Sequence, residues 1–342
     1  MSTPDAIPLI PIERAPERAA WKAEMAAMVR DARTLCELLG FEPAAADEIT
    51  RACGDFPLRV PRPYLSRIEK GNPRDPLLLQ ILPQLQELTQ TPGYTVDPLE
   101  EADFTPVPGL LHKYRGRVLV VLNGNCAIHC RYCFRRHFPY QEHQIGQRDW
   151  QRIVDYIAAD SSIEEVIFSG GDPLTSTDAA LSSKVAQLDA IAHLTRLRLH
   201  TRVPVMIPSR VNDDCLAWIR ATRLNVVCVL HANHANEIDV EVIASLARLR
   251  AEGVTLLNQA VLLKGVNDSV PALRDLSQLL FEAGVLPYYL HQLDQVQGAA
   301  HFAVSDVRAA SLMQGLRDSL PGYLVPKLVR EEAHQPHKSP LA

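Results

Sequence analysis

From residue 117 onward, short runs rich in β-branched residues alternate with longer amphipathic stretches, and few folds accommodate that alternation. The strand pattern covers Arg117–Leu122, Glu165–Ser169, Arg196–Thr201, Asn225–Leu230, Val254–Leu262 and Leu286–His291. Helical periodicity follows each in turn, near Asp149–Ala159, Asp178–His193, Asp213–Thr222, Asp239–Ala251, Val270–Ala283 and Ser305–Ser319. Strands separated by a helix cannot pair through a tight hairpin, so neighbours run parallel and are joined by right-handed crossovers. The expected fold is α/β: a partial, TIM-like (β/α)6 barrel, short of the eight units that close a full one. Chemistry in such a barrel collects at the carboxyl ends of the strands.

Ahead of the alternation, Trp21, Met25, Met28 and Val29 recur at helical spacing, and Leu35, Leu38 and Leu39 continue the stripe to Gly40. Pro57, Pro61 and Pro63 interrupt the chain, a short helical pattern reaches Gly71, and an apolar stretch runs from Leu77 to Leu88. Residues 91–108, with five prolines and glycines, read as an extended connector. Nothing in this preface reads as chemistry. The expected organisation is an N-terminal helical extension and connector over 1–106, the barrel over 107–325, and a C-terminal segment over 326–342 that folds back on it.

Lys+Arg 35 against Asp+Glu 40 gives a net charge of -5, without the basic excess that nucleic acid selects, so direct nucleic-acid binding is not expected. The longest apolar runs, such as Val118–Leu122, are far short of the about 20 residues a spanning helix needs. Met1–Ile12 has no basic leader and no long apolar stretch. A cytoplasmic protein without membrane contact is expected.

Seven cysteines are an odd number, and three crowd into the loop after the first expected strand, as Cys126, Cys130 and Cys133. That is a poor disulfide framework; in a reducing compartment it points to metal or redox chemistry. Three thiolates in a Cys-x3-Cys-x2-Cys spacing can grip three corners of a [4Fe-4S] cluster and leave the fourth iron open. An open iron can chelate the amino acid end of S-adenosylmethionine and place its sulfonium against an electron donor, the arrangement needed for homolytic cleavage. The competing reading is a structural zinc site with His129 or His137 as fourth ligand, in a binding module without catalysis.

The loop resembles that of the radical S-adenosylmethionine (radical SAM) superfamily, and Cys130-Arg131-Tyr132-Cys133-Phe134-Arg135-Arg136 is similar to the lysine 2,3-aminomutase family in particular. Further blocks occur in the same order: Ser169-Gly170-Gly171-Asp172-Pro173-Leu174, Leu257 to Asp268, and the tail around Lys338. The preface with Glu69-Lys70-Gly71-Asn72-Pro73, and the short chain, resemble the bacterial branch that makes β-lysine for translation elongation factor P. The resemblance implies a radical SAM barrel and an isomerase that converts lysine to β-lysine. It also implies a reductant such as flavodoxin or ferredoxin, a functional link to elongation factor P and its lysyl ligase, and, as an open expectation, an assembly of identical chains. An aminomutase for another amino acid, such as glutamate, is the nearer alternative.

Candidate site residues follow. In Ser169, Gly170, Gly171 and Asp172 the paired glycines remove side chains where backbone passes close to a ligand, and their N–H and C=O groups can hold the amino acid half of S-adenosylmethionine. The resemblance adds His231 and Gln259 for the adenosyl half. Moving nitrogen between adjacent carbons by radicals needs a π system, which an ammonium lacks and pyridoxal phosphate supplies. By resemblance Lys338 is the lysine that carries pyridoxal phosphate, although Ala333-His334-Gln335-Pro336-His337 replaces the family's glycine run. Lys113, Tyr114 and Arg117 correspond to its phosphate-gripping positions, and Tyr288 and Tyr289 could flank the ring. For substrate, Arg135 matches the carboxylate-binding arginine, while Asp294 and Glu331 match two acids that meet the ε-ammonium. Arg131 and Arg136 are expected to balance nearby negative charge.

Overall fold

The computed structural model describes residues 17–139 and 145–341; the expectation about Met1–Ile12 lies outside them. Nine strands form one sheet in chain order: β1 (Leu110–Tyr114), β2 (Arg117–Val121), β3 (Glu165–Ser169), β4 (Arg196–Thr201), β5 (Asn225–Leu230), β6 (Thr255–Val261), β7 (Leu286–His291), β8 (Lys327–Arg330) and β9 (Ser339–Pro340). Strands β2 to β8 are parallel, and the edge strands β1 and β9 are antiparallel to their neighbours. The six expected strands are β2 to β7, so the partial (β/α)6 barrel stands. Sequence patterning missed β1, β8 and β9.

Helices α1 (Glu17–Ala26), α2 (Ala32–Leu39) and α3 (Ala44–Cys53) form the N-terminal extension, and α4 (Gln147–Ala159), α5 (Asp178–Asp189), α6 (Asp213–Ala221), α7 (Val240–Ala251), α8 (Val270–Glu282) and α9 (Asp306–Ser319) are the crossovers. Asp239 and Ser305, which open their helical patterns, are N-caps: each side chain accepts an N–H from the third residue on, at 2.9 and 3.3 Å. The stripe from Trp21 to Leu39 is not one helix. Between α1 and α2, Val29 exchanges backbone hydrogen bonds of 2.8 and 3.0 Å with Val60, which breaks the periodicity. Gly40, at φ 74°, then closes α2 in a conformation that costs other residues more.

Alternation along the strands separates core from site. On β4, Leu197 and Leu199 are buried in the core, whereas Arg198 and His200 border the barrel's interior cavity. Leu35, Tyr64 and Leu77 of the extension belong to the same apolar core as Phe168 and Leu199 of the barrel. The extension is therefore packed onto the barrel as part of one core. Among the described residues no helix is long and apolar enough to cross a membrane.

Candidate active site

A cavity of about 680 Å³ opens at the carboxyl ends of the strands. The three cysteines, Ser169 to Asp172, His231, Gln259, Lys113, Tyr114, Arg117, Arg135, Asp294, Glu331 and Lys338 all border it. Residues far apart in sequence thus meet where the barrel's geometry puts chemistry.

The cysteine loop, between β2 and α4, is seated by the turn after β3. Gly171 and Asp172 donate their N–H groups to Asn123 O and Asn125 O, each at 2.7 Å. A Cβ on Gly170, whose φ is 123°, would sit 2.5 Å from Asn123 O, and one on Gly171 would come still closer to Asn125 O. The glycine pair thus admits the cysteine loop's backbone, and the N–H groups of Gly171 and Asp172 bond that loop. The Asp172 side chain also bonds within the protein. Its carboxylate accepts from Thr201 Oγ1 and Arg202 N at 2.7 Å and from Leu174 N at 3.0 Å, so it ties the turns after β3 and β4 together. Burial raises its carboxyl to about 6.

Support for the loop comes from the preface that had seemed chemically silent. Glu87 accepts a fork from Arg131, with contacts of 2.6 to 3.0 Å, and a further bond from Arg136 at 2.9 Å. Both arginines thus balance negative charge, as expected. Arg59 holds Cys126 O at 3.1 Å. Arg202, itself held by Gln80 and Glu237, points Nη1 at Cys130 Sγ, 2.7 Å away. Burial pushes the Cys126 thiol up and that of Cys133 to about 12, a cost that metal ligation removes by replacing the proton.

The side chains around the loop bear on the zinc alternative. Around one tetrahedral zinc, thiolate sulfurs lie about 3.8 Å apart, given Zn–S near 2.3 Å. Among the described residues, only the exposed Glu100, Asp103 and His334 gather three ligand atoms within 4.8 Å of one another, and the cysteine sulfurs are more widely spread. His129 and His137 each bond a backbone carbonyl, Pro57 O at 2.8 Å and Gln297 O at 3.1 Å. Cys126, Cys130 and Cys133 all face the same cavity, the side from which a cluster with one open iron would be met by its ligand.

Deeper in the cavity, Gln259 Nε2 donates to His231 Nε2 at 2.7 Å. Burial, reinforced by Arg202, Arg135 and Lys338, pushes His231 down to about 3 and keeps it neutral. Two histidines that sequence reading passed over, His200 and His291, also border the cavity as neutral rings, and the Nε2 of each has no hydrogen-bond partner among the described residues.

On the opposite side, pairing of β9 with β8 sets Ser339 across from Arg330 and turns the tail back, which brings Lys338 against Glu331 as an ion pair. The absent glycine run is thereby replaced by a hairpin-like return. Glu331 also accepts from Tyr114 Oη at 2.8 Å and lies 3.6 Å from Lys113 Nζ, which itself donates to Glu332 O at 2.8 Å. These contacts bridge the open side of the sheet, from β1 to the segment after β8. Burial would raise Glu331, but Lys338, Lys113 and Tyr114 hold it at about 2. Arg117 stacks on Tyr114 at 4.6 Å, and Tyr288 and Tyr289 lie together with centroids 3.8 Å apart. Asp294 is raised to about 7 by burial and then by the charge of Glu331, and its Oδ1 has no partner among the described residues. Arg135 donates to Ser169 Oγ at 3.2 Å and makes a two-armed pair with Glu101, a residue no sequence signal had marked.

A family profile described as a 4Fe-4S single cluster domain matches residues 114–192. A protein of Haemophilus influenzae named L-lysine 2,3-aminomutase is 48% identical over 97% of this chain and 98% of its own. One of the same name from Escherichia coli is 49% identical over 95% of each chain. A solved radical SAM methyltransferase from Sphaerobacter thermophilus overlaps with a TM-score of 0.44 and 18% identity, over 65% of this chain and 68% of that one. With two relatives this similar over nearly their whole length, and with the cysteine loop and Lys338 facing one cavity, the chain belongs to the lysine 2,3-aminomutase family of radical SAM enzymes.

Proposed function

We propose that this protein is an isomerase that moves the α-amino group of L-lysine to the β-carbon, giving β-lysine. The observation that carries the reading is the charge layout of one cavity: the guanidinium of Arg135 for an α-carboxylate, and the carboxylates of Asp294 and Glu331 for a cationic side chain, with Lys338 among them. Cys126, Cys130 and Cys133 would hold the [4Fe-4S] cluster; Ser169 to Gly171, His231 and Gln259 would line the S-adenosylmethionine position; Lys113, Tyr114, Arg117 and Lys338 would hold pyridoxal phosphate. When bound, these groups supply a hydrogen-abstracting radical and a π system through which nitrogen passes.

The chain's own residues do the rest. Arg135 orients substrate through two parallel hydrogen bonds. Asp294 and Glu331 attract an ε-ammonium and repel the side chain of glutamate. Neutral His231, His200 and His291 add polar edges without adding charge. Lys338 must give up its proton to act as a nucleophile; at rest its ammonium keeps that proton and donates it to the ionised Glu331.

A flavodoxin or ferredoxin is the reductant we infer, and the cytoplasm the compartment. Near end-to-end similarity to short bacterial relatives supports the further proposal that the β-lysine serves elongation factor P through a lysyl ligase. Anaerobically reconstituted enzyme incubated with lysine or glutamate tests the central reading. β-Lysine from lysine alone is expected; β-glutamate, or no product with a full cluster and bound pyridoxal phosphate, overturns it.

A further inference from the structure

Arg135 is already paired where a substrate carboxylate would bind. Its Nε and Nη2 donate to the two oxygens of Glu101 at 2.8 and 2.6 Å, the parallel fork that a guanidinium makes with any carboxylate. Glu101 borders the cavity but comes from the connector, in a short 3-10 turn, Glu101–Phe104, none of whose residues is buried. The other end of the substrate path mirrors this: the ammonium of Lys338 sits on Glu331. One internal carboxylate and one internal ammonium thus occupy the groups assigned to the α-carboxylate and ε-ammonium of lysine.

The turn is built to let go. Glu100 at φ 51° and His334 at φ 59° are the non-glycine residues with positive φ among the described residues, and they touch each other. His334 Nε2 is 2.8 Å from Glu100 Oε2 and 3.5 Å from Asp103 Oδ2, and its ring lies 5.2 Å from that of Phe104. Exposed pairs of this kind stabilise little, and strained backbone is retained where function requires it.

We infer that Glu101 is a displaceable occupant of the carboxylate subsite. It neutralises Arg135 in the empty enzyme, the α-carboxylate of the substrate takes its place, and its departure releases the Glu101–Phe104 turn together with the tail that His334 ties to it. The exchange keeps a little-exposed guanidinium paired throughout, and a second carboxylate cannot share the fork without like-charge repulsion. A ligand without a carboxylate leaves the turn in place. This rests on the assignment of Arg135 to the substrate carboxylate.

Holoenzyme carrying cluster, S-adenosylmethionine and pyridoxal phosphate, without reductant, is titrated with lysine and with cadaverine, the diamine lacking the carboxylate, and followed by pyridoxal phosphate absorbance. Glu101→Gln is expected to tighten lysine about tenfold, since the competitor for a charge-assisted fork is weakened, and to leave cadaverine unchanged. Deuterium uptake over the wild-type turn is expected to rise with lysine and not with cadaverine. Unchanged lysine affinity, equal tightening of both ligands, or uptake that does not respond to lysine overturns the inference. The uptake measurement decides alone should Glu101→Gln not fold. Arg135→Gln separates the two layers: selective loss of lysine over cadaverine keeps Arg135 in its role, whereas equal effects on both remove that role and the inference with it.

Discussion

Around the cysteine loop the charged groups are paired below the surface, whereas around Lys338 they meet near the open side of the sheet. Arg131 and Glu87 expose 0% and 1% of their side chains, and Arg202 and Glu237 expose 6% and 0%. Lys338 and Glu331 expose 20% and 18%. A buried pair cannot be dissolved without stranding a charge, so its geometry is fixed with the fold. A pair that keeps some access to water can exchange partners without leaving a charge stranded in the interior. The pairs around the cysteine loop are therefore scaffold, whereas the pair at Lys338 keeps the access to water that an exchange of partners requires.

The sharpest way to break this division is to remove one anchor from each half. Cys130→Ala is expected to abolish cluster assembly and turnover together, while the absorbance of covalently held pyridoxal phosphate persists; iron analysis of anaerobically purified protein checks it, and a full complement of iron would place ligation elsewhere. Lys338→Ala is the converse. Iron content is expected to stay whole, with turnover and the absorbance of the lysine-bound cofactor lost. Retention of that absorbance would assign the cofactor to another lysine.

A smaller effect tests the scaffold itself. Glu87 lies outside the cavity lining yet accepts from both Arg131 and Arg136. Glu87→Gln keeps the shape and leaves two guanidinium groups without their counter-charge, so a loss of roughly 3–5 kcal/mol is expected. Thermal unfolding of the iron-free protein measures it; an unchanged midpoint would mean that the cysteine loop is no more rigidly built than the tail.

The same division tracks what could be read from the sequence. Strands β3, β4, β5 and β7 begin and end at the residues their patterns mark, because each is a short β-branched or apolar run followed by a helix signal. β1 and β9 carry no such pattern: β1 reads Leu-Leu-His-Lys-Tyr, and β9 is two residues long, ordered by its pairing with β8. The candidate residues themselves were legible because motif and family resemblance mark positions. Their partners were not. Glu87 and Glu101 reach Arg131 and Arg135 across 44 and 34 residues, from segments without helical or strand period, and no local rule predicts such a meeting. The glycine pair shows the same limit: sequence says that a backbone passes close by, and the structure says that it is the cysteine loop's own.

The last test concerns the two acids proposed for the ammonium subsite, Asp294 and Glu331, which differ in charge state. Glu331, held at about 2, is ionised at every working pH, whereas burial and the neighbouring charge raise Asp294 from 3.8 to about 7. Because the folded value of Asp294 lies above the unfolded one, its contribution to stability is complete below about pH 4 and is lost as pH rises through about 7. Asp294→Asn should therefore gain stability relative to wild type across that window. Substrate binding carries the opposite slope, since an ε-ammonium is attracted by the ionised form. Lysine affinity of the unreduced holoenzyme is expected to rise roughly tenfold between about pH 6 and about pH 8, and Asp294→Asn to flatten that rise. A slope that survives the substitution would take Asp294 out of the ammonium subsite and leave Glu331, already shared with Lys338 and Tyr114, to recognise the side chain alone.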